Sequence, residues 1–116
     1  MEGVQLQGAH LEGCDLRNCV LRRADLRGAR LVGAKLSGAD LRDAQMGPLI
    51  LGGERVLPCN LTHAQLKGAD LTAADLRQAV FIDADVSRAN FARALLKQAD
   101  FTGVTRHAAR GLDDVI

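Results

Sequence analysis

The stretch ADLRGARLVGAKLSGADLRDA, residues 24–44, repeats with a period of five. Ala recurs at 24, 29, 34, 39 and 44, and Leu follows two places later at 26, 31, 36 and 41. An α-helix cannot use this pattern. Five residues advance it by about 500°, or about 140° net, so successive Leu side chains would spiral around the axis. A long flat strand fails as well, because a period of two sends alternate Leu residues to opposite faces. The pattern works when each unit is a short extended piece followed by a corner. Within one unit the Ala and the Leu are two apart and point the same way. Four corners close a square coil of 20 residues, and coils stack into a parallel β-solenoid.

Working outward, the large residue falls at 6, 11, 16, 21, 26, 31, 36, 41 and 46, and again at 61, 66, 71, 76, 81, 86, 91, 96 and 101. Of these 18 residues 13 are Leu; the others are Met46, Phe81, Val86, Phe91 and Phe101. The residue two before is Ala in 14 units, Cys at 14, 19 and 59, and Val at 4. A tube this narrow holds one large side chain per side, so its second inward residue must be small. Stacking at ~4.8 Å per coil gives a rod ~22 Å long. Each buried Leu contributes roughly 1.5–3 kcal/mol. Outside, the residue before the large one is often Asp or Asn (15, 25, 40, 70, 75, 85, 90, 100), types that hydrogen-bond nearby backbone in turns. Gly often stands two after it (8, 13, 28, 33, 38, 68, 103), where a corner requires unusual dihedrals.

The bulk composition agrees. The 116 residues suit one domain. Trp and Tyr are absent and Phe occurs three times, so the core is built from small and aliphatic groups. A net charge of +1 predicts no strong pull towards nucleic acid or anionic lipid. No run of ~20 apolar residues forms a membrane span. The N-terminus lacks signal-peptide features, and three Cys suit reduced thiols, so the expected location is the cytoplasm.

Units ADLRG (24–28), ADLRD (39–43), ADLTA (69–73) and ADLRQ (74–78) match A-(D/N)-L-x-x. By these units the chain resembles the pentapeptide-repeat family, over residues 4–48 and 59–103. The resemblance implies an all-β fold, a right-handed quadrilateral parallel β-helix. It also implies a protein without catalytic activity; the best understood members mimic DNA and bind type II topoisomerases.

Two segments break the period. Residues 47–58, GPLILGGERVLP, carry Pro at both margins and Gly52-Gly53 between two apolar pieces. The pattern predicts a hairpin-like excursion turning at the glycines. Leu49 and Leu51 alternatively fit one inward pair, but Glu54 would then occupy a small inward slot, and a lone buried carboxylate is costly. A partner-contacting loop is one reading of the segment, with Gly52, Gly53, Glu54 and Arg55 as contacts; a tolerated insertion is the other. Phase is kept, since 46 and 61 differ by a multiple of five. The tail, residues 104–116, abandons the pattern. A short C-terminal helical cap is expected there, with Ala108, Leu112, Val115 and Ile116 offering apolar contacts. The first coil would leave Val4, Leu6 and Leu11 uncovered, a candidate homodimer contact.

No catalytic, cofactor-binding or metal-ligating set emerges. The three Cys occupy small inward slots, and a buried free thiol packs as a small hydrophobe. His10, His63 and His107 fall at outward or tail positions without ligand spacing. The remaining signal is charge. Arg17, Arg22, Arg23, Arg27, Arg30 and Lys35 face Asp25 alone between 17 and 35, whereas residues 59–103 carry five acids and five bases. Twenty-residue stacking places Arg22 beside Arg42 and Asp15 beside Lys35. The leading expectation is a non-catalytic scaffold for an unidentified protein partner. The alternatives are a topoisomerase-protecting DNA mimic and weak nucleic-acid or anionic-surface binding through 17–35. DNA mimicry requires columns of acid, and near-neutral charge opposes it.

Overall fold

The repeats close into a four-sided parallel coil in the computed structural model, which describes residues 2–113 and 115. Parallel bridges link Gln5 to Asp25, His10 to Arg30, Asp15 to Lys35 and Val20 to Asp40. Continued upward, they define four faces of five rungs each. Face one carries Gln5, Asp25, Gln45, Asp75 and Leu95; face two His10, Arg30, Asn60, Val80 and Asp100. Face three carries Asp15, Lys35, Gln65, Asp85 and Thr105; face four Val20, Asp40, Asp70, Asn90 and Arg110. Each rung bonds in both directions, as where the Leu26 N–H donates to the Gln45 carbonyl (2.7 Å) and the Gln45 N–H to that of Ala24 (2.9 Å).

Corners are tight turns. The Ala29 N–H returns to the Leu26 carbonyl at 3.0 Å, and Gly28, second of the two residues between, has φ 67°. A positive φ at that position alone defines a type II turn. The slot does not require Gly: Asn18 (59°), Arg23 (57°) and Ala73 (60°) adopt the same conformation. The Ala and Leu sets fill the interior, from Leu21 and Ala24 through Phe91, each at most 1% exposed apart from outward positions. Phe81 and Phe101 stack in one column (centroids 4.8 Å, planes 6° apart), and Phe91 meets both edge-on at 5.9 and 5.8 Å. The late Phe residues therefore pack the core rather than an outer surface.

The excursion is an antiparallel hairpin. Strand β1 (Leu49–Gly52) pairs with β2 (Arg55–Leu57) through Leu49–Leu57 and Ile50–Val56. It leaves the edge between faces one and two, and the bridges that span it on all four faces join residues thirty apart instead of twenty (Arg30 to Asn60, Lys35 to Gln65, Asp40 to Asp70, Gln45 to Asp75). Leu49 does not join the interior. It and Leu57 lie over the Gly28 corner, where an added Cβ would stand 2.7 Å from Leu49 Cβ and 3.2 Å from a Leu57 methyl. Leu51 is exposed, and Glu54 stands in solvent, so no buried carboxylate arises.

The tail departs from expectation. No helix occurs among the described residues, and the coil runs on to Arg110. The Thr105 and Arg110 N–H groups donate to the carbonyls of Ala84 (3.0 Å) and Ala89 (2.9 Å). Those lateral bonds satisfy donors that a helix would satisfy internally. The period vanished from the sequence because Arg106 and Gly111 occupy the Leu slots, while Val104 and Ala109 still serve the small inward position. Of the four expected apolar contacts, Leu112 is buried, Ala108 and Val115 are exposed, and Ile116 lies outside the described residues. Gly111 is required before Leu112, since a Cβ there would stand 2.6 Å from the Phe91 carbonyl carbon.

Candidate functional site

The outward side chains form their own ladder. Asp and Arg two apart project from the same rung. In Asp15–Arg17, Asp25–Arg27, Asp40–Arg42 and Asp75–Arg77 one carboxylate oxygen accepts the Arg Nε–H at 2.8–2.9 Å and the other a terminal N–H at 2.6–2.8 Å. The first oxygen also accepts the Arg backbone N–H at 3.2 Å. Bonding to Arg17 holds the Asp15 carboxyl down at about 2, and the arginine partners lower those of Asp25, Asp40 and Asp75. Asp25 is the most enclosed of the four, with 3% of its surface exposed, and accepts a further bond from Gln7 (2.8 Å).

The cations of 17–35 do not share a face. Arg17 and Lys35 extend from face three, Arg22 and Arg23 from face four and its edge, Arg27 from face one and Arg30 from face two. Each meets a carboxylate. Arg22 lies 3.4 Å from Glu2 and 3.5 Å from Asp40, Arg23 pairs with Glu2, and Arg30 lies 3.3 Å from Glu12. Lys35 is on the rung above Asp15 and helps lower that carboxyl. The expected neighbours therefore stack as stated, and the structure distributes this charge around the girth and neutralises it locally.

The hairpin residues Gly52, Gly53, Glu54 and Arg55 do come together, at a fully exposed tip. Beside them Ile50 (72% exposed), Leu51 (49%) and Val56 (49%) form an apolar side arm. At the root of the arm, on face one, is a notch of about 370 Å³. Rungs above and below contribute Arg77 and Arg27, the middle rung contributes Gln45, and Pro48 and Ile50 make the wall. The notch exists because Gly47 has no side chain where its column neighbours are arginines. A Cβ on Gly47 would lie 3.4 Å from the Asp75 carboxylate. Five of the six Gln in the chain (5, 7, 45, 78, 98) lie on this face or its edge with face two. Sequence reasoning missed the notch, because twenty-residue stacking places 47 beside 67; the hairpin shifts its neighbour to 77.

Cys59 is buried, and burial pushes its thiol up to about 12. Cys14 and Cys19 are half-buried in the first coil. No group of three or more His, Cys, Asp or Glu able to hold a metal occurs among the described residues.

The family model for pentapeptide repeats matches residues 3–44, 59–98 and 79–109. HetL, involved in heterocyst differentiation regulation in the cyanobacterium Nostoc sp. strain PCC 7120, is 32% identical with a TM-score of 0.65 over 86% of this chain and 50% of HetL. Trypsin-treated QnrB1 R167E, a plasmid-mediated fluoroquinolone resistance protein, is 22% identical with a TM-score of 0.77 over 89% of this chain and 48% of QnrB1. The chain thus spans about half the length of these structures. Coils of opposite hand do not superpose this well, so the right-handed sense expected above stands. No curated protein sequence matches the chain.

Proposed function

The chain belongs to the pentapeptide-repeat family, and we propose that it acts as a non-catalytic scaffold that binds a protein partner through its hairpin and the adjoining face one. The observation behind this reading is the apolar arm. Ile50, Leu51 and Val56, three of the six exposed large apolar side chains among the described residues, are gathered on this one hairpin, and Ile50 is the most exposed of all six. Exposed apolar groups gathered on one protruding element mark a contact surface. The relatives are consistent with a role outside catalysis, HetL in regulation and QnrB1 in drug resistance.

The test uses the phase of the insertion. Deleting residues 48–57 together with Pro58→Gly rejoins Gly47 to Cys59 as one regular unit. Crosslinking and mass spectrometry in the native cell should find a partner with the whole chain and lose it with the deletion, while the circular dichroism spectrum stays unchanged. Equal crosslinking by both forms removes the hairpin from the reading.

A second reading, DNA mimicry towards a type II topoisomerase, draws on the fold shared with QnrB1. Charge opposes it, because each carboxylate of the D-x-R ladder is matched by an arginine. A gyrase supercoiling assay with and without a quinolone decides it: neither inhibition nor protection is expected. The scaffold reading extends to self-association through half-buried Val4, Leu6 and Leu11, which sedimentation equilibrium checks directly; a monomer at every concentration ends it.

A further inference from the structure

We propose that the notch on face one is a receptor for one carboxylate, the side chain of a glutamate in an acidic segment of a protein partner. This deepens the scaffold reading by assigning the partner's chemistry. A guanidinium has five N–H donors. Arg27 directs its Nε–H and one terminal N–H to Asp25, and Arg77 does the same with Asp75. The remaining donors of both arginines have no acceptor among the described residues, and neither do the amide donors of Gln45 and Gln78, which also line the notch. The two Gln amide oxygens are the unfilled acceptors, and the guanidinium and amide donors outnumber them, so the complementary ligand is chiefly an acceptor.

Spacing and walls narrow the class. Arg27 and Arg77 stand two rungs apart, nominally ~9–10 Å. Two charge-assisted N–H···O contacts of about 2.7–2.9 Å and the width of one carboxylate span about 8 Å, so the two flexible guanidinium heads lean towards each other to close the rest. The Asp75 carboxylate borders the Gly47 backbone and would repel a dianion such as phosphate more than a monoanion. Pro48 and the exposed Ile50 form an apolar side wall, which suits the methylene stem of Glu. A glutamate tip entering here would occupy the layer that Gly47 leaves empty in the D-x-R ladder. Arg42 provides an internal control. It makes the same bidentate pair with Asp40, but the pocket of about 260 Å³ beside it is also lined by Glu2 and Asp43, whose carboxylates repel a further anion.

The test is nitrogen-15 NMR of the Arg Nε–Hε groups of the whole chain, titrated with the capped peptide Ala-Glu-Ala, with Ala-Gln-Ala and with inorganic phosphate. The Glu peptide should shift the Arg27 and Arg77 signals together and saturably, leaving Arg42 in place. Gly47→Ser fills the empty layer and should weaken this binding at least about tenfold, the loss of one charge-assisted contact. Ile50→Ser should weaken binding of the Glu peptide, and an additional titration with acetate, which has no side-chain stem, should give a weaker shift that this substitution leaves unchanged. The proposal is overturned by equal shifts at Arg42, by equal binding of the Gln peptide, by tighter binding of phosphate, or by Gly47→Ser binding as the parent does. A failed titration leaves the hairpin crosslinking result untouched, so the two readings fail separately.

Discussion

The first coil and the last two are assembled from the same unit and joined by the same ladder, the Leu6 N–H meeting the Asp25 carbonyl and the Phe91 N–H that of Arg110, both at 2.8 Å. Their interiors differ. In the first coil Val4, Leu6, Leu11, Leu16, Cys14 and Cys19 are only partly covered. In the last two, Ala94, Leu96, Ala99, Val104 and Ala109 are likewise half-buried, but Phe81, Phe91 and Phe101 interlock at 0%, 1% and 6% exposure and Leu112 joins the same core at 2%. The repeat specifies the backbone path at both ends equally. Closing the interior takes residues outside the repeat, namely larger rings and a Gly111-Leu112 step that leaves the coil.

Paired substitutions sharpen that contrast. The largest difference is expected between Phe81→Ala and Leu16→Ala. The first removes the ring that touches both other Phe residues and should cost about 3–5 kcal/mol. The second opens space in a coil that is already half-covered and should cost well under half as much, both measured by urea unfolding. Next, Ala34→Leu overpacks the closed middle of the tube and should cost about 1–3 kcal/mol. Ala9→Leu, facing the open coil, should be nearly neutral. Equal losses in either pair would mean that the first coil is as tightly packed as the rest.

Acid should act at both ends of the ladder. The carboxyls of Asp15, Asp25, Asp40 and Asp75 are lowered in the folded chain by their arginines. The unfolded chain therefore binds protons first as pH falls, and the stabilisation is complete above about pH 4. It is lost below that, down to about 2 for Asp15. Thermal melts should be flat from pH 7 to about 4.5 and fall steeply beneath. Arg17→Gln and Arg77→Gln should each flatten part of that fall. The smallest effect is chemical. Maleimide should label Cys14 and Cys19 in the native chain, while Cys59, fully buried with its thiol raised to about 12, should react only after unfolding.

Much of the rod was legible because five-residue spacing is incompatible with helix and with flat strand, leaving one geometry for the Ala and Leu sets. The hairpin was legible from Pro48, Gly52-Gly53 and Pro58. The tail was misread because its outline depends on Leu, and Arg106 and Gly111 hide a path that Val104, Ala108 and Ala109 still follow. The D-x-R pairs were written plainly in the sequence, yet their Asp was read as a turn former alone. It is one, and it also grips the arginine two places on. The notch was not legible at all. It depends on which rung lies over Gly47, and that is decided by a ten-residue shift of register visible only once Gln45 is seen against Asp75.

The hairpin leaves and re-enters the coil without disturbing the bridges on either side of it, Asp25 to Gln45 before and Asn60 to Val80 after. Its two roots are therefore a fixed socket in a stiff beam. Foreign peptides spliced between Gly47 and Cys59 would be displayed at a set height and azimuth, and the beam itself would bear none of the cost of their shape.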